Sequence, residues 1–210
     1  MNTIVYISRH SKKDMNYTSN DSLLNTDINR PLNSIGEENA KMMSLYPEFQ
    51  DIDSIYSSHY IRSIQTAKYV ATNNNLEINI DKRLGERIIG LDENFPKLTP
   101  EFALKQYQDE NYKYGNGESR KEVTDRVRES LFEIINKNKG KKIFIVTHST
   151  AMLFLFISFG KFEFGENCHK IIINNKNIIE NVRWGEHTPE IFKLVFDEDN
   201  NLIDINYIRW

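Results

Sequence analysis

Two short apolar runs, far apart in the chain, are each followed by a histidine, and this pattern restricts the possible folds most. Thr3 to Ser8 reads TIVYIS and Lys142 to Thr147 reads KIFIVT. Both are rich in β-branched and aromatic residues, which is typical of buried parallel strands. His10 follows the first run and His148 the second. Because parallel strands end at one edge of a sheet, where ligands bind, we expect the two imidazoles to lie close together there.

Helical periodicity separates the strand candidates. Apolar residues recur at helical spacing over Gly36 to Leu45, Tyr60 to Ala71 and Ser119 to Asn136, and strand-like segments lie at Ser54 to Ser57 and Glu77 to Ile80. This alternation predicts an α/β fold, a three-layer α/β/α sandwich with a mostly parallel central sheet.

The second half of the chain adds three further expectations. Beyond Lys170, strand candidates around the turn signal Asp199 to Asn201 predict antiparallel edge strands near the C-terminus. The segment from Gly90 to Asn116 lacks regular periodicity but contains several aromatic side chains, and we expect a small cap around residues 88–118 within a single domain spanning residues 1–210. The apolar stretch Ala151 to Phe159 predicts a buried helix beneath His148, since crossing a bilayer takes about 20 residues.

Charge and cysteine content exclude several classes of protein. The net charge of -3 provides no global attraction for nucleic acid or an anionic membrane, so an anion site requires a local cluster of cations. The one cysteine, Cys168, cannot form an intramolecular disulfide, and there is no CxxC pair. Arg9 and His10 interrupt the first apolar run too early for an export signal. We expect a cytoplasmic protein with no metal, cofactor, nucleic-acid partner or membrane association, and the oligomeric state stays open.

A local cluster of cations is available next to the histidines. Arg9 adjoins His10, and Arg62 lies in the first turn of the helix that starts near Tyr60. A lone strand-end histidine or surface arginine is more often structural, but together these groups have the composition of a phosphate cradle. The helix N-termini near Tyr60 and Ser149 would add backbone N–H groups and a positive dipole end.

Phosphoryl transfer needs a nucleophile, cations around the phosphoryl oxygens and an acid for the leaving alkoxide. His10 can serve as the nucleophile. Glu86, in RLGERIIG, follows a strand-like run and is a candidate for the acid. On composition alone, a surface glutamate paired with Arg83 or Arg87 is favoured.

Six sequence elements occur in a fixed order over about residues 3–160. They are Arg9-His10; Pro31-Leu32 with Gly36 and Ala40; Ser57-Ser58 with Arg62, Gln65, Thr66 and Ala67; Glu86; Gly117 to Ser119 followed by Arg126; and Thr147-His148. Each element is weak alone, but the ordered set resembles the histidine phosphatase superfamily, in its phosphoglycerate mutase-like branch.

The resemblance implies a role for each matching residue. His10 would be the phosphorylated nucleophile and Glu86 the proton donor, and no metal would be needed. The phosphoryl group would be held by Arg9, Arg62 and His148, with Asn16 as a secondary contact. Ser11 and Ser149 replace the glycines that usually follow the two histidines, and we expect their backbone N–H groups to remain available to phosphate.

The segment after Glu86 favours a phosphatase. Mutases of this family resemble one another in a longer segment here, with arginines for the substrate carboxylate. This chain has no arginine from Ile88 to Ser119. We therefore expect hydrolysis of a small phosphorylated substrate whose identity the sequence does not specify. A phosphoglycerate mutase-type phosphotransferase and a non-catalytic phospholigand-binding module are the alternatives, although a mere binder has no need for Glu86.

Overall fold

A six-stranded mixed sheet forms the centre of the fold. The computed structural model describes residues 1–20, 26–90, 99–165, 168–180, 182, 185 and 188–210. The strands of this sheet are β1 (Thr3–Arg9), β2 (Ser54–Ser57), β3 (Ile78–Ile80), β4 (Lys142–Thr147), β8 (Ile191–Phe196) and β9 (Leu202–Ile208). Their spatial order is β3-β2-β4-β1-β8-β9. The first four of these strands pair in parallel, and β8 and β9 are antiparallel, which confirms the predicted sheet.

Helices cover both faces of the sheet. They are α1 (Ser34–Ser44), α2 (Ile61–Asn74), α3 (Pro100–Gln108), α4 (Arg120–Lys137) and α5 (Ser149–Ile157). Successive residues of a strand point to opposite faces. On β1, Val5 and Ile7 belong to the core cluster that includes residues of α4 and α5, whereas Tyr6 belongs to the cluster that includes residues of α1 and α2. The predicted three-layer α/β/α sandwich is therefore confirmed.

A second, smaller sheet was not predicted. It is antiparallel and consists of β5 (Lys161–Gly165), β6 (Cys168–Ile173) and β7 (Lys176–Asn177). The expectation of edge strands beyond Lys170 is correct for β8 and β9 but wrong for β6. Ile171 and Ile173 of β6 are buried in the same core as α4 and α5, while β8 takes the edge of β1. Apolar alternation alone does not indicate which sheet a strand joins.

The segment 88–118 contains a helix that the periodicity did not reveal. α3 begins at Pro100, and the Thr99 hydroxyl accepts a hydrogen bond from the Phe102 N–H at 3.1 Å. Only Phe102 and Gln106 of this helix are buried, so too few positions carry the apolar signal. The sequence pattern therefore did not indicate the helix at residues 100–108. Residues 91–98 lie outside the described residues, and the cap itself stays a prediction.

The apolar stretch after His148 forms α5, as predicted. Met152, Leu155 and Phe156 are fully buried. Among the described helices, none combines the length and apolar character that spanning a membrane requires. Trp210 donates from Nε1 to the Pro189 carbonyl at 2.8 Å and packs against the core cluster that includes residues of α1 and α2.

The start of α4 provides a test of the fold. The Ser119 hydroxyl accepts from the Glu122 N–H at 3.2 Å, and the Glu122 carboxylate accepts from the Ser119 N–H at 2.8 Å. Ser119→Ala should lower the free energy of unfolding by about 1 kcal/mol because it leaves an N–H without its partner. Urea unfolding followed by circular dichroism measures this change. Ser119→Thr keeps the hydroxyl and is the matched control, and an alanine variant as stable as the wild type would contradict the capping role.

Candidate active site

Three strands end at one edge of the sheet, and the residues that follow them meet there. The parallel register continues past the strands, because the His10 N–H donates to the Thr147 carbonyl at 2.9 Å and the Ser58 N–H donates to the Val146 carbonyl at 3.0 Å. The ring centroids of His10 and His148 lie 5.1 Å apart. The structure thus brings together the two imidazoles that the strand pattern placed at one edge.

His10 presents one nitrogen with a free lone pair. The residue is 5% exposed, and its Nδ1 lies 2.6 Å from the Ser11 carbonyl oxygen. A carbonyl oxygen only accepts hydrogen bonds, so Nδ1 must carry the proton. In the neutral ring, Nε2 is then unprotonated. Nε2 is therefore the nitrogen that can attack an electrophile.

His148 has the opposite tautomer. Its Nδ1 lies 3.4 Å from an Arg62 guanidinium nitrogen, which can only donate, and its Nε2 lies 2.8 Å from the Ser58 hydroxyl oxygen. The neutral ring therefore holds its proton on Nε2 and donates to Ser58. The Ser63 hydroxyl lies 3.3 Å from the same nitrogen. These contacts fix the orientation of the ring, and Nδ1 faces Arg62.

Both imidazoles are neutral at pH 7. Burial lowers the pKa of His10 well below 6.5, and the charges of Arg62, Arg9 and Lys13 lower it further, against the hydrogen bond to Ser11. Burial also lowers the pKa of His148, and a positive charge on His10 or Arg62 acts in the same direction. His10 therefore keeps its lone pair over the neutral range.

Arg62 is a buried cation at the centre of the cluster. Its side chain is 1% exposed, and the guanidinium carbon lies 4.5 Å from the centroid of the Tyr60 ring. One terminal nitrogen donates to the Asp27 carboxylate at 2.8 Å and the other to the Asp27 carbonyl. Its Nε is buried and has no hydrogen-bond partner among the described residues. This donor and the second N–H of the nitrogen that binds the Asp27 carbonyl are available to an oxyanion.

Arg9 is held by a carboxylate from the far end of the chain. Its guanidinium lies 3.1 Å from Glu190, whose side chain is fully buried. The backbone reinforces this contact, since the Arg9 N–H donates to the Glu190 carbonyl at 2.9 Å. The Nε of Arg9 is also buried and has no hydrogen-bond partner among the described residues. A fixed guanidinium beside His10 can bind an anion with little loss of side-chain entropy.

The loop after His10 is anchored by residues of the recognised motifs. The Ser11 N–H donates to the Thr66 hydroxyl at 2.9 Å, and the Leu32 N–H donates to the Gln65 side chain at 2.7 Å. A Cβ added at Gly36 would lie 2.1 Å from the Lys12 carbonyl oxygen, so only glycine allows this approach. These motif residues therefore support the loop that follows His10 and do not supply the reactive group themselves.

The side chain of Glu86 lies against the start of α5, the helix that follows His148. Its Oε1 accepts from the N–H groups of Arg87 at 2.9 Å and Ala151 at 3.1 Å, and its Oε2 accepts from the Thr150 N–H at 3.3 Å. No ion pair joins Glu86 to Arg83 or Arg87 in the described part of the chain, so the surface-pair alternative is wrong. The carboxyl group is held at the histidine edge of the sheet.

A partly buried ion pair positions the Glu86 segment. Arg126 binds Glu118 at 2.6 Å and donates to the carbonyl groups of Arg83, Gly85 and Glu86 at 2.6 to 3.2 Å. The hydroxyl of Thr147 holds the same segment through the Leu84 carbonyl at 2.7 Å. The chain leading to Glu86 is therefore attached both to α4 and to the end of β4.

Two expectations about backbone donors are wrong. The Ser11 N–H is bound by Thr66 and is not free for phosphate. At the start of α5, the N–H groups of Thr150 and Ala151 bind Glu86, so much of this helix terminus is directed at a carboxylate of the chain itself. Short polar and acidic groups compete well for free helix N–H groups, and sequence alone does not reveal which one wins.

The remaining predicted residues differ in their placement. Ser149 is the first residue of α5 and is half-buried next to His148. Asn16 is exposed, its N–H donates to the Asp14 carboxylate at 2.8 Å, and its side chain makes no hydrogen bond to a described residue. Its contact with a phosphoryl group stays a prediction.

Two carboxylates at the site were missed from the sequence. Asp27 binds Arg62 across 35 residues, and Glu190 binds Arg9 across 181 residues. Neither residue stands in a motif element or a periodic pattern that indicates its partner. By contrast, Ser58 and Thr66 belong to a recognised motif, which was the signal for their presence near the histidines.

A comparison with known protein families decides the classification. The sequence model of the histidine phosphatase superfamily (branch 1) matches residues 5–195. The chain belongs to this superfamily. A relative, the probable phosphoglycerate mutase GpmB of Yersinia enterocolitica, is 30% identical over 154 residues, which is 70% of each chain. The predicted family is thereby confirmed.

Solved structures of histidine phosphatase fold support the architecture. The native mycobacterial glucosyl-3-phosphoglycerate phosphatase has a TM-score of 0.69 at 18% identity and covers 100% of this chain and 99% of its own. A phosphoserine phosphatase of Entamoeba histolytica has a TM-score of 0.67 at 18% identity and covers 97% and 96%, respectively. Within the described residues of this superfamily member, no cluster of three or more His, Cys, Asp or Glu side chains is placed to hold a metal ion.

The two buried imidazoles predict a pH dependence of stability. Their pKa values are lowered from 6.5 in the folded protein. Below pH 6.5 the unfolded chain therefore takes up protons that the folded protein does not, and stability falls as the pH falls. Each group should contribute a slope of about 1.4 kcal/mol per pH unit between pH 6 and the folded pKa.

Urea unfolding of wild type and His10→Asn at several pH values between 7 and 5 measures this dependence. The variant should lose one of the two contributions and show a shallower fall, whatever its stability at pH 7. His148→Asn should behave in the same way. Identical slopes in all three proteins would show that the imidazoles are not buried as neutral groups.

Proposed function

We propose that the chain is a metal-independent phosphatase that hydrolyses small phosphate monoesters in the cytoplasm through a phosphohistidine intermediate on His10. The observation that carries this proposal is the free Nε2 of a buried, neutral His10 next to two fixed guanidinium groups. The chain belongs to a superfamily in which solved structures of similar fold are named phosphatases.

In the first step, the Nε2 lone pair of His10 attacks phosphorus. The bond between phosphorus and the ester oxygen breaks, and that oxygen receives a proton from Glu86 as the alcohol leaves. In the second step, water attacks the phosphorus and gives a proton to the Glu86 carboxylate. The phosphorus–nitrogen bond breaks, its electron pair returns to Nε2, and inorganic phosphate leaves.

The acid oxygen of Glu86 can be assigned from its hydrogen bonds. Oε1 accepts from two backbone N–H groups, whereas Oε2 accepts from only one. A carboxyl oxygen has two lone-pair positions, so Oε2 is the oxygen with room for the proton. The bonds to Arg87 and Ala151 hold the group in place while Oε2 exchanges its proton with the ester oxygen and then with water.

The cations stabilise the charge on the transferring group. Arg9 and Arg62 are each anchored by a carboxylate, so their remaining N–H groups are preorganised for phosphoryl oxygens. Nδ1 of His148 lies 3.4 Å from Arg62 and is unprotonated in the free protein. A bound dianion would oppose the lowering of the His148 pKa and favour protonation of Nδ1, which could then donate to the phosphoryl group.

Phosphoglycerate mutase-type transfer is the second candidate, because relatives at 30% identity are named probable phosphoglycerate mutases. The absence of arginine from Ile88 to Ser119 favours hydrolysis. Incubation with 3-phosphoglycerate and, separately, with phenyl phosphate, followed by phosphorus NMR, separates the two: free phosphate from either ester supports a phosphatase, and 2-phosphoglycerate identifies a mutase. Binding of vanadate without turnover of any phosphate ester would instead identify a phospholigand-binding module.

The nucleophile is tested by phosphate release from an aryl phosphate in the presence of a chelator. Wild type should turn over, and His10→Ala should lose activity at least about 1,000-fold because no other group can form the covalent intermediate. Persistent activity in the variant would exclude His10 as the nucleophile. Loss of wild-type activity in chelator would exclude metal independence.

The proton donor is tested with leaving groups of different basicity. Glu86→Gln should slow hydrolysis of an alkyl phosphate roughly 100-fold but change that of 4-nitrophenyl phosphate little, because a nitrophenolate leaves without a proton. Glu77→Gln removes an exposed carboxylate before β3 and is the matched control. Equal losses on both substrates in Glu86→Gln would exclude the acid role.

A further inference from the structure

A half-exposed carboxylate pairs with Arg62 of the proposed phosphoryl site and with the neighbouring Lys13. Asp27 accepts from Arg62 through one carboxylate oxygen at 2.8 Å and from Lys13 through the other at 2.7 Å. Its carbonyl oxygen binds the second terminal nitrogen of Arg62. Asp27 therefore bridges a buried guanidinium and a surface ammonium group.

The bridge lies beside the reacting groups. The same Arg62 nitrogen that binds Asp27 lies 3.4 Å from Nδ1 of His148, and the charges of both Arg62 and Lys13 lower the pKa of His10. A single nitrogen of Arg62 therefore contacts both the carboxylate of Asp27 and the ring of His148. The leaving group of an ester whose phosphorus lies next to Nε2 of His10 is therefore in the electric field of this carboxylate.

Exposure distinguishes Asp27 from the other carboxylate that pairs with a site arginine. The Glu190 side chain is fully buried behind Arg9, whereas the Asp27 side chain is 49% exposed. Asp27 is therefore in contact with solvent, whereas Glu190 is not. Without it, Arg62 and Lys13 would be two neighbouring cations able to bind a second anionic group of the substrate, such as a carboxylate or another phosphate.

The negative charge persists at neutral pH. Partial burial acts to raise the pKa of Asp27, but the hydrogen bond from Lys13 and the charge of Arg62 outweigh it, and the pKa lies below its ordinary value. A substrate with a second negative charge would have to displace Asp27 or remain next to it.

We propose that Asp27 determines specificity at this site by disfavouring phosphate esters whose leaving group is negatively charged, so that the substrate class is a monoester of a neutral or cationic alcohol. This inference rests on the proposed function, since it concerns the leaving group of the same hydrolysis. It restricts the substrate class by the charge of the leaving group, which none of the sequence motifs indicates.

Three aryl phosphates of similar shape test the inference: 4-carboxyphenyl, phenyl and 4-(aminomethyl)phenyl phosphate, with anionic, neutral and cationic leaving groups. The measured quantity is the ratio of kcat/KM between Asp27→Asn and wild type for each ester, which cancels differences in intrinsic reactivity. The variant should raise the ratio for the anionic ester about tenfold relative to the cationic ester, as expected for the loss of one nearby charge in a partly solvated site.

Two controls isolate the charge of Asp27. Asp27→Glu keeps the charge and should preserve the wild-type order of the three esters. Asp204, on β9, is a carboxylate of similar exposure, 42%, and pairs with Lys176 at 3.0 Å. Asp204→Asn should leave the order of the three esters unchanged. Equal ratios for the three esters in Asp27→Asn, or the same change in Asp204→Asn, would overturn the proposal.

Binding measurements keep the inference testable if no ester is hydrolysed. In that case the proposed function fails, but dissociation constants of the three esters for His10→Asn and for His10→Asn with Asp27→Asn can still be measured by calorimetry. Selective tightening of the anionic ester in the double variant supports the role of Asp27. Uniform tightening or no change in the three constants refutes it.

Discussion

The parallel pairing of β1 with β4 is the constraint on which the site depends. Its register places Arg9 opposite Thr147, and the next residues continue the ladder so that His10 and His148 emerge together. Because side chains alternate along a strand, a slip of one residue would turn the reactive groups toward the wrong face. The apolar strands thus bury the core and also set the distance between two imidazoles.

Burial of those imidazoles among cations has consequences for stability and chemistry alike. Neutral rings are tolerated next to Arg9 and Arg62, whereas protonated rings would add charge to a buried cationic cluster. The same environment keeps a lone pair on Nε2 of His10. The arginines are in turn compensated by Glu190, which is buried, and by Asp27, which faces solvent. Glu190 fixes Arg9, whereas Asp27 fixes Arg62 and also presents a negative charge to solvent.

The motifs of the superfamily supply mainly support for this arrangement. Thr66 and Gln65 hold the loop after His10, and Arg126 with Glu118 holds the segment that carries Glu86. Such contacts reduce the motion of groups that must stay within reach of one phosphorus atom. The fold is shared with solved structures that are only 16 to 19% identical to this chain.

The sequence by itself determined the central strands, α1, α2, α4 and α5, and the residues at the histidine edge, because each depends on local periodicity or on a motif in a fixed order. Tertiary structure alone decided that β6 joins a second sheet and that α3 forms with only Phe102 and Gln106 buried. It also decided the partners of the arginines and the capping of α5 by Glu86. A charged side chain has no periodic signal that identifies its partner, and Asp27 and Glu190 reach theirs across 35 and 181 residues through a fold that must form first.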